Sequence, residues 1–149
     1  MRILIQRVSS ASVVVEGSAT GAIDAGLLLL VGITHTDTEA IVDRMADKVV
    51  RLRIFSDEKG LMNRCVIDVA GAILAVSQFT LYADAKGGNR PSYTAAARPE
   101  QASPAFARFV AKLATRLGKP VPTGVFGADM KVALVNDGPV TIWLDSETL

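Results

Sequence analysis

The chain has 149 residues, of which 50% are hydrophobic and 5% aromatic, so it carries enough aliphatic side chain for one core, and we expect a single domain over residues 1–149. Its 16 Lys and Arg almost balance 15 Asp and Glu, which excludes a protein that wraps a long phosphate backbone and restricts any RNA contact to a local patch. A single cysteine, Cys65, excludes an intrachain disulfide and four-cysteine zinc sites.

No segment has the pattern of a membrane span or a secretion signal. The apolar run from Leu27 to Ile33 is too short to cross a bilayer, and the start Met1-Arg2-Ile3-Leu4 lacks the features of a signal peptide. We therefore expect a cytoplasmic protein without membrane contact.

The first third of the chain predicts β-strands, because β-branched residues are enriched there between glycine-containing turns. The predicted strands cover residues 3–8, 12–16, 19–23 and 27–34, with a turn at Gly17.

A helix over residues 37–52 follows. Thr36 and Glu39 have the spacing of a capping box, in which each side chain accepts from a backbone amide of the first turn. Apolar residues then recur at helical spacing at Ile41, Met45, Val49 and Leu52.

The middle of the chain predicts a hairpin, a buried strand and a long loop. The hairpin joins 53–55 to 61–62 through the polar loop 56–60, and the strand covers 72–79. Residues 80–98 form the one long irregular stretch, and such loops in compact domains are often functional.

The last third predicts a second helix and three strands. The helix starts near Pro99 or Pro104 and stops at Gly118. Strands are expected at 121–126, 131–135 and 140–144, the last two joined by a turn at 136–139. Many strands with two main helices make an α+β domain.

Orthodox catalytic groups are missing from the sequence. The only histidine, His35, has no second ligand at metal-binding spacing, and no Gly-x-Ser-x-Gly turn surrounds a serine. We therefore expect no metal, no cofactor and no Ser-His-Asp triad, with His35 a loop or cap residue and Cys65 a small buried side chain.

Three short segments stand out instead. Ser77-Gln78-Phe79-Thr80-Leu81 ends the predicted buried strand in small and amide side chains, and Asn89-Arg90-Pro91-Ser92-Tyr93-Thr94 offers short polar groups around a fixed proline. Gly138-Pro139 combines a permissive residue with one that allows a cis bond. Taken singly, these patterns are also typical of strand ends and turns.

Together, these segments and Val135 to Thr141 resemble the signature motifs of the D-aminoacyl-tRNA deacylase family. The resemblance extends through Ile5-Gln6-Arg7-Val8, Arg53 to Asp57 and Ala128-Asp129-Met130, and so covers essentially the whole chain. It implies a three-layer β/β/α fold, predominantly antiparallel, and a homodimer whose active site combines the first two motifs of one subunit with Gly-Pro of the other.

The family further implies a role for each motif residue. The substrate would be the 3′ end of a D-aminoacyl-tRNA, with glycine also tolerated, and the RNA 2′-hydroxyl would assist hydrolysis of the ester. The resemblance assigns catalysis to Ser77, Gln78, Phe79 and Thr94. It assigns substrate binding to Phe79, Thr80, Asn89, Pro91, Gly138, Pro139 and Arg7.

Several alternatives stay open from the sequence alone. Thr94 could act as a nucleophile, although no His or Lys lies in an obvious base position. The chain could also be a related proofreading enzyme for L-aminoacyl-tRNA, or a non-catalytic module that binds RNA ends. Lys86, Arg90 and Arg98 place positive charge beside the loop in every case.

Overall fold

The computed structural model describes all residues, Met1–Leu149. In chain order, the elements are β1 (Arg2–Val15), β2 (Ser18–Ile23), β3 (Gly26–Gly32), α1 (Glu39–Arg51), β4 (Phe55–Ser56), β5 (Met62–Arg64), β6 (Ala72–Ser77), a 3-10 turn (Phe79–Tyr82), α2 (Pro99–Leu117) and β7 (Lys131–Asp145).

One long strand, β1, organises the main sheet. Its first half pairs antiparallel with β3 and its second half with β2, while β7 pairs antiparallel along its other side. The strand β6 joins the outer side of β3 in parallel, and β4 and β5 form a separate small hairpin. The mixed, mainly antiparallel sheet with two helices confirms the predicted α+β class.

Two separate cores show why the sheet forms two layers. In β3, Leu27 and Leu29 face a core that is shared with both helices, whereas Leu28 faces a second core. That second core also contains Ala11 and Val13 from the far half of β1. Because successive side chains of a strand point to opposite faces, β3 is buried on both sides, and the layers are sheet, sheet and helices.

The two helices lie together outside the sheet. Thr38 caps α1 by accepting from the Ile41 amide at 3.3 Å, so the predicted capping residue Thr36 is wrong by two positions. Helix α2 begins at Pro99 rather than Pro104 and ends, as predicted, at Gly118, which has a left-handed φ of 73°.

Paired charges join the exposed surfaces of the helices. Arg108 donates to both carboxylate oxygens of Asp43 at 2.9 Å, and Arg116 donates to Asp47 at 2.7 Å. The side-chain hydrogen bond from the arginine lowers the pKa of each aspartate. Exposed pairs of this kind stabilise weakly, so the helices are held mainly by the apolar core beneath them.

Four predicted features differ in the structure. The strand β6 ends at Ser77, because the 3-10 turn starts at Phe79, and residues 121–126 contribute only an isolated bridge from Thr123 to Ala75. Segments 131–135 and 140–144 are not a hairpin, because both pair with β1 in the same direction as parts of one strand, β7. Cys65 is half-buried rather than buried.

A glycine fixes the close approach of β3 and β6. A Cβ atom on Gly26 would lie 1.9 Å from the Ala72 carbonyl oxygen, which is a backbone atom and cannot rotate away. We predict that Gly26→Ala lowers the free energy of unfolding by about 3 kcal/mol or more in urea denaturation. The control Gly87→Ala, with nothing within 4 Å of its new methyl group, should stay near wild type. Equal stability of the two variants would contradict this account of the strand pair.

Candidate active site

A cavity of about 560 Å³ opens where β6 ends. Thirteen of its 18 lining residues are hydrophobic, so the few polar groups along its wall determine which ligand it can orient. The wall is formed by the ends of β3 and β6, residues 93–97, the start of α2 and segment 126–132.

At the end of β6, the polar part of the wall is made by Ser77 and Gln78. The Gln78 amide donates to the Val31 carbonyl at 2.7 Å, which fixes the backbone at the strand end, and the Gln78 side chain donates to the Thr80 hydroxyl. The 3-10 turn begins one residue later, at Phe79. The first amides of a helical turn have no acceptor within that turn, so this turn directs N–H groups away from itself.

Two aromatic rings stand at the edge of the cavity. Phe79 and Tyr93 meet edge to face, with ring centroids 5.1 Å apart and an interplanar angle of 77°. The Phe79 side chain is 58% exposed, which is high for a ring of this size. An exposed, oriented aromatic pair is a surface on which a flat ligand group can stack.

The loop that carries Tyr93 is held at several points. Asp84 and Ser92 exchange two backbone hydrogen bonds of 2.8 Å, which close the exposed turn containing Asn89 and Pro91. The Thr94 hydroxyl lies 3.3 Å from the Ser92 hydroxyl. No histidine, lysine or carboxylate group bonds to that hydroxyl.

Gly138 and Pro139 lie in a bulge of β7 opposite Arg7. Asn136 pairs with Val8 and Thr141 with Gln6, so residues 137–140 stand opposite one residue of β1. The Gly138-Pro139 peptide bond is cis, and Gly138 has a φ of 139°.

Two side chains hold this bulge. Arg7 donates from Nε to the Asp137 carbonyl at 3.0 Å and from Nη1 to the Ile54 carbonyl at 2.7 Å. Asn136 accepts from the Val140 amide at 2.9 Å through Oδ1. Arg7 therefore holds the Gly-Pro segment at the carbonyl of the preceding residue, and Asn136 adds a second support.

The predicted site residues fall into two groups within one chain. Ser77, Gln78 and Phe79 line the cavity, and Thr80 follows in the same turn. The others lie outside its lining: Thr94, Asn89, Pro91, Arg7, Gly138 and Pro139.

The cavity also contains residues that sequence reasoning did not assign to the site. Phe106 has the spacing of a helix core face, and Phe126 lies in a predicted strand that does not form, so neither carried a functional signal. Ala128-Asp129-Met130 belongs to the family resemblance, which was the available signal for that part of the wall.

An ion pair supports the far end of the 3-10 turn. Arg2 donates from Nη1 to the Leu81 carbonyl at 3.1 Å and from Nε to Asp145 at 2.9 Å, and its guanidinium lies 4.5 Å from the centre of the Tyr82 ring. Burial alone would raise the pKa of Asp145, but hydrogen bonds from the Glu147 amide and Arg2 hold this pKa below its usual value of 3.8. The end of β7 and the 3-10 turn Phe79–Tyr82 (the Phe79 turn) are thereby linked through one guanidinium.

No three His, Cys, Asp or Glu side chains are grouped closely enough to hold a metal ion. No helix combines the length and the hydropathy of a membrane span.

The layers define an α+β protein, with a cavity at the end of β6 that is lined mainly by hydrophobic side chains. A family model described as D-Tyr-tRNA(Tyr) deacylase matches residues 4–145. The chain belongs to this family of hydrolases, and the resemblance found in the sequence is confirmed.

Three individual similarities are representative. A D-aminoacyl-tRNA deacylase of Chromobacterium violaceum is 62% identical over 98% of this chain and 97% of its own. A solved structure titled c-Myc DNA Unwinding Element Binding Protein is 40% identical, with a TM-score of 0.90 over 97% of this chain and 98% of its own. A structure titled as a probable eukaryotic D-amino acid tRNA deacylase, at 14% identity and a TM-score of 0.82, covers 96% of this chain and 97% of its own and shares the fold.

The Arg2–Asp145 pair gives a pH-dependent stability. The pKa of the Asp145 carboxyl is lower in the folded state than in the unfolded state. The ionised carboxylate therefore stabilises the fold at pH values above its unfolded-state pKa, and this stabilisation is lost as the pH falls through the folded-state pKa. We predict that Asp145→Asn lowers the free energy of unfolding at pH 7 by about 1 kcal/mol, and that the difference from wild type narrows below about pH 4.

Urea denaturation at several pH values measures this difference. Glu147→Gln is the matched control, because only the backbone amide of Glu147 bonds to Asp145. A difference between Asp145→Asn and wild type that stays constant down to pH 3 would refute the assigned role of the carboxylate.

Proposed function

We propose that this protein hydrolyses the ester bond between a D-amino acid and the 3′-terminal adenosine of tRNA. The observation that carries the proposal is the cavity at the Phe79 turn, which combines the first amide of that turn with an exposed edge-to-face aromatic pair. An aminoacyl ester is already reactive, so a site that holds its carbonyl and stabilises the developing oxyanion supplies most of what hydrolysis needs.

We assign the oxyanion contact to the Phe79 turn. The backbone amide of Gln78 donates to the Val31 carbonyl, so it supports the wall of the cavity and is not free to donate to substrate. The Phe79 amide is the first N–H of the 3-10 turn and has no acceptor within that turn. Ser77 and Gln78 then act by fixing the direction of this donor.

We assign the terminal adenosine to the aromatic edge of the cavity. A nucleobase stacks on any aromatic face, and the exposed Phe79 ring is braced by Tyr93. Asn89 and Pro91, in the exposed turn beside Tyr93, would contact the adjoining part of the RNA end. The 2′-hydroxyl of the adenosine would then lie near the ester carbonyl and take the place of a protein base.

Exposed cations flank this edge. Lys86, Arg90 and Arg98 are all exposed in or beside the loop, and they would attract the phosphates next to the tRNA end. Because the proposed substrate is aminoacylated tRNA, we infer that the protein acts in the cytoplasm.

We propose that Gly138 and Pro139 complete the cavity of a second subunit and exclude L-amino acids there. In support, neither residue lines the cavity of its own chain, although Arg7 and Asn136 hold their segment in place. The strand β7 pairs only with β1, which leaves its outer edge available to a second copy. Selection would then rest on main-chain atoms that crowd an L-side chain.

The direct test is deacylation of D-tyrosyl-tRNA and L-tyrosyl-tRNA by the purified full-length protein. We expect rapid release of the D-amino acid and none of the L-amino acid above the rate in buffer. Release of the L-residue would indicate the related proofreading activity, and binding of tRNA without release of either residue would indicate a module that only binds RNA ends. Both outcomes would reject the proposal.

Thr94 separates the substrate-assisted mechanism from a covalent one. Its hydroxyl contacts only another hydroxyl, that of Ser92, and so lacks the base that a threonine nucleophile needs. We predict that Thr94→Ala keeps kcat for D-tyrosyl-tRNA within about threefold of wild type, since it loses at most one exposed hydrogen bond. Thr115→Ala, on the exposed surface of α2, controls for loss of a hydroxyl as such. A fall in kcat of several orders of magnitude for Thr94→Ala alone would reject the substrate-assisted mechanism and favour covalent catalysis.

Subunit complementation tests the shared site. Phe79→Ala removes the stacking ring, and Gly138→Ala places a Cβ 2.7 Å from the Val140 side chain at a φ of 139°, so we expect each variant alone to be inactive. An equal mixture of the two variants should recover about one quarter of wild-type activity after subunit exchange. Half of the randomly formed dimers are heterodimers, and each heterodimer has one intact site of its two. Size-exclusion chromatography checks that each variant dimerises. Mixed dimers that stay inactive would place both residues in a site within one chain.

A further inference from the structure

His35, the single histidine of the chain, lies beside the loop that carries Tyr93. It follows β3, and its ring nitrogen Nε2 is 2.9 Å from the Thr94 carbonyl oxygen. The ring is exposed, and no acidic side chain bonds to it. The contact joins two segments that are 59 residues apart in sequence, so it is not part of any local turn.

The residues around this contact form a short ladder between the two segments. The Thr34 hydroxyl donates to the Ala95 carbonyl at 2.6 Å, and the Ala97 amide donates to the Ile33 carbonyl at 2.9 Å. His35 provides the outermost bond of this ladder, one residue from Tyr93. Without that bond, the ladder would end at Ala95. Tyr93 would keep its contact with Phe79 and the bond that its carbonyl accepts from the Ala96 amide at 3.0 Å, but Thr94 would have no bond to the segment that follows β3.

The partner atom defines the protonation of the ring. A carbonyl oxygen only accepts, so Nε2 must carry a proton and donate it. A histidine that donates from Nε2 to a main-chain carbonyl cannot use that nitrogen as a base towards the Thr94 hydroxyl. The geometry at Nε2 therefore fits a structural donor.

We propose that His35 is a positioning residue that holds the Tyr93–Thr94 segment against the cavity and so tunes the binding of the RNA end. The expected effect on substrate binding rests on the proposed function, whereas the expected effect on the position of the Tyr93–Thr94 segment does not. Because Tyr93 braces the stacking ring of Phe79, loss of the bond should weaken binding more than the chemical step.

Three substitutions of His35 separate positioning from catalysis. The amide nitrogen of glutamine reaches about as far as Nε2 and donates without titrating, whereas that of asparagine reaches only as far as Nδ1. For D-tyrosyl-tRNA, we expect His35→Ala and His35→Asn to raise KM about three- to tenfold, which is the effect of one hydrogen bond, with kcat within about twofold. His35→Gln should restore KM to within about twofold of wild type.

Gln101→Ala is the matched control. The Gln101 side chain donates to the His35 carbonyl at 3.0 Å, so its removal perturbs the same neighbourhood without touching the loop. We expect wild-type KM for this variant, and a melting temperature within about 2 °C of wild type for all four, because the lost bonds are exposed.

Chymotrypsin gives a readout that needs no substrate. Cleavage after Tyr93 requires the Tyr93–Thr94 segment to leave its position, so its rate, followed by mass spectrometry, should rise about three- to tenfold in His35→Ala and His35→Asn but not in His35→Gln.

The outcomes keep the two proposals apart. Wild-type protein that leaves D-tyrosyl-tRNA intact would reject the deacylase function, and the cleavage rates would still decide whether His35 holds the segment. Unchanged KM and unchanged cleavage in His35→Ala would overturn the positioning role. A His35→Gln variant as impaired in kcat as His35→Ala would show instead that His35 acts in the chemistry.

Discussion

The shift of register between β1 and β7 at Arg7 is the constraint on which the rest of the structure depends. Residues 137–140 stand opposite the single residue Arg7, so the two strands cannot stay in register across this point. The first half of β1 pairs with β3 in one layer, and its second half pairs with β2 in the other. The change of layer thus occurs where the register of β1 and β7 shifts, and the same shift exposes the Gly138-Pro139 segment.

Arg7 makes this irregularity a defined structure. Its guanidinium joins the Asp137 carbonyl of the bulge to the Ile54 carbonyl beyond α1, and its planar donors fix both directions at once. A bulge without such a partner would leave main-chain carbonyls with no fixed orientation. Arg7 thus fixes the start of the bulge at Asp137, directly before Gly138-Pro139.

The cavity has a different origin, in the one parallel strand pair. Because β3 and β6 run in the same direction, with Val31 opposite Ser77, their carboxyl ends meet at one edge of the sheet. His35 follows the first of these strands and the Phe79 turn follows the second. The Phe79 turn, its aromatic ring and the support of the Tyr93 loop therefore meet at this edge of the sheet.

The sequence by itself determined the class, the family and the short motifs. Continuous aliphatic strands, apolar residues at helical spacing and Gly118 identified both helices and most strands, because these signals act over a few neighbouring residues. Ser77-Gln78-Phe79 marked the cavity wall for the same reason: polar side chains end an apolar strand.

Only the tertiary structure decided which distant segments meet. Gly138-Pro139 has the local pattern of a hairpin turn, yet both flanking segments pair with β1, since pairing depends on a partner strand at the other end of the chain. The bond from His35 to Thr94 and the cavity wall at Phe106 and Phe126 likewise come from packing between elements, which no local pattern encodes.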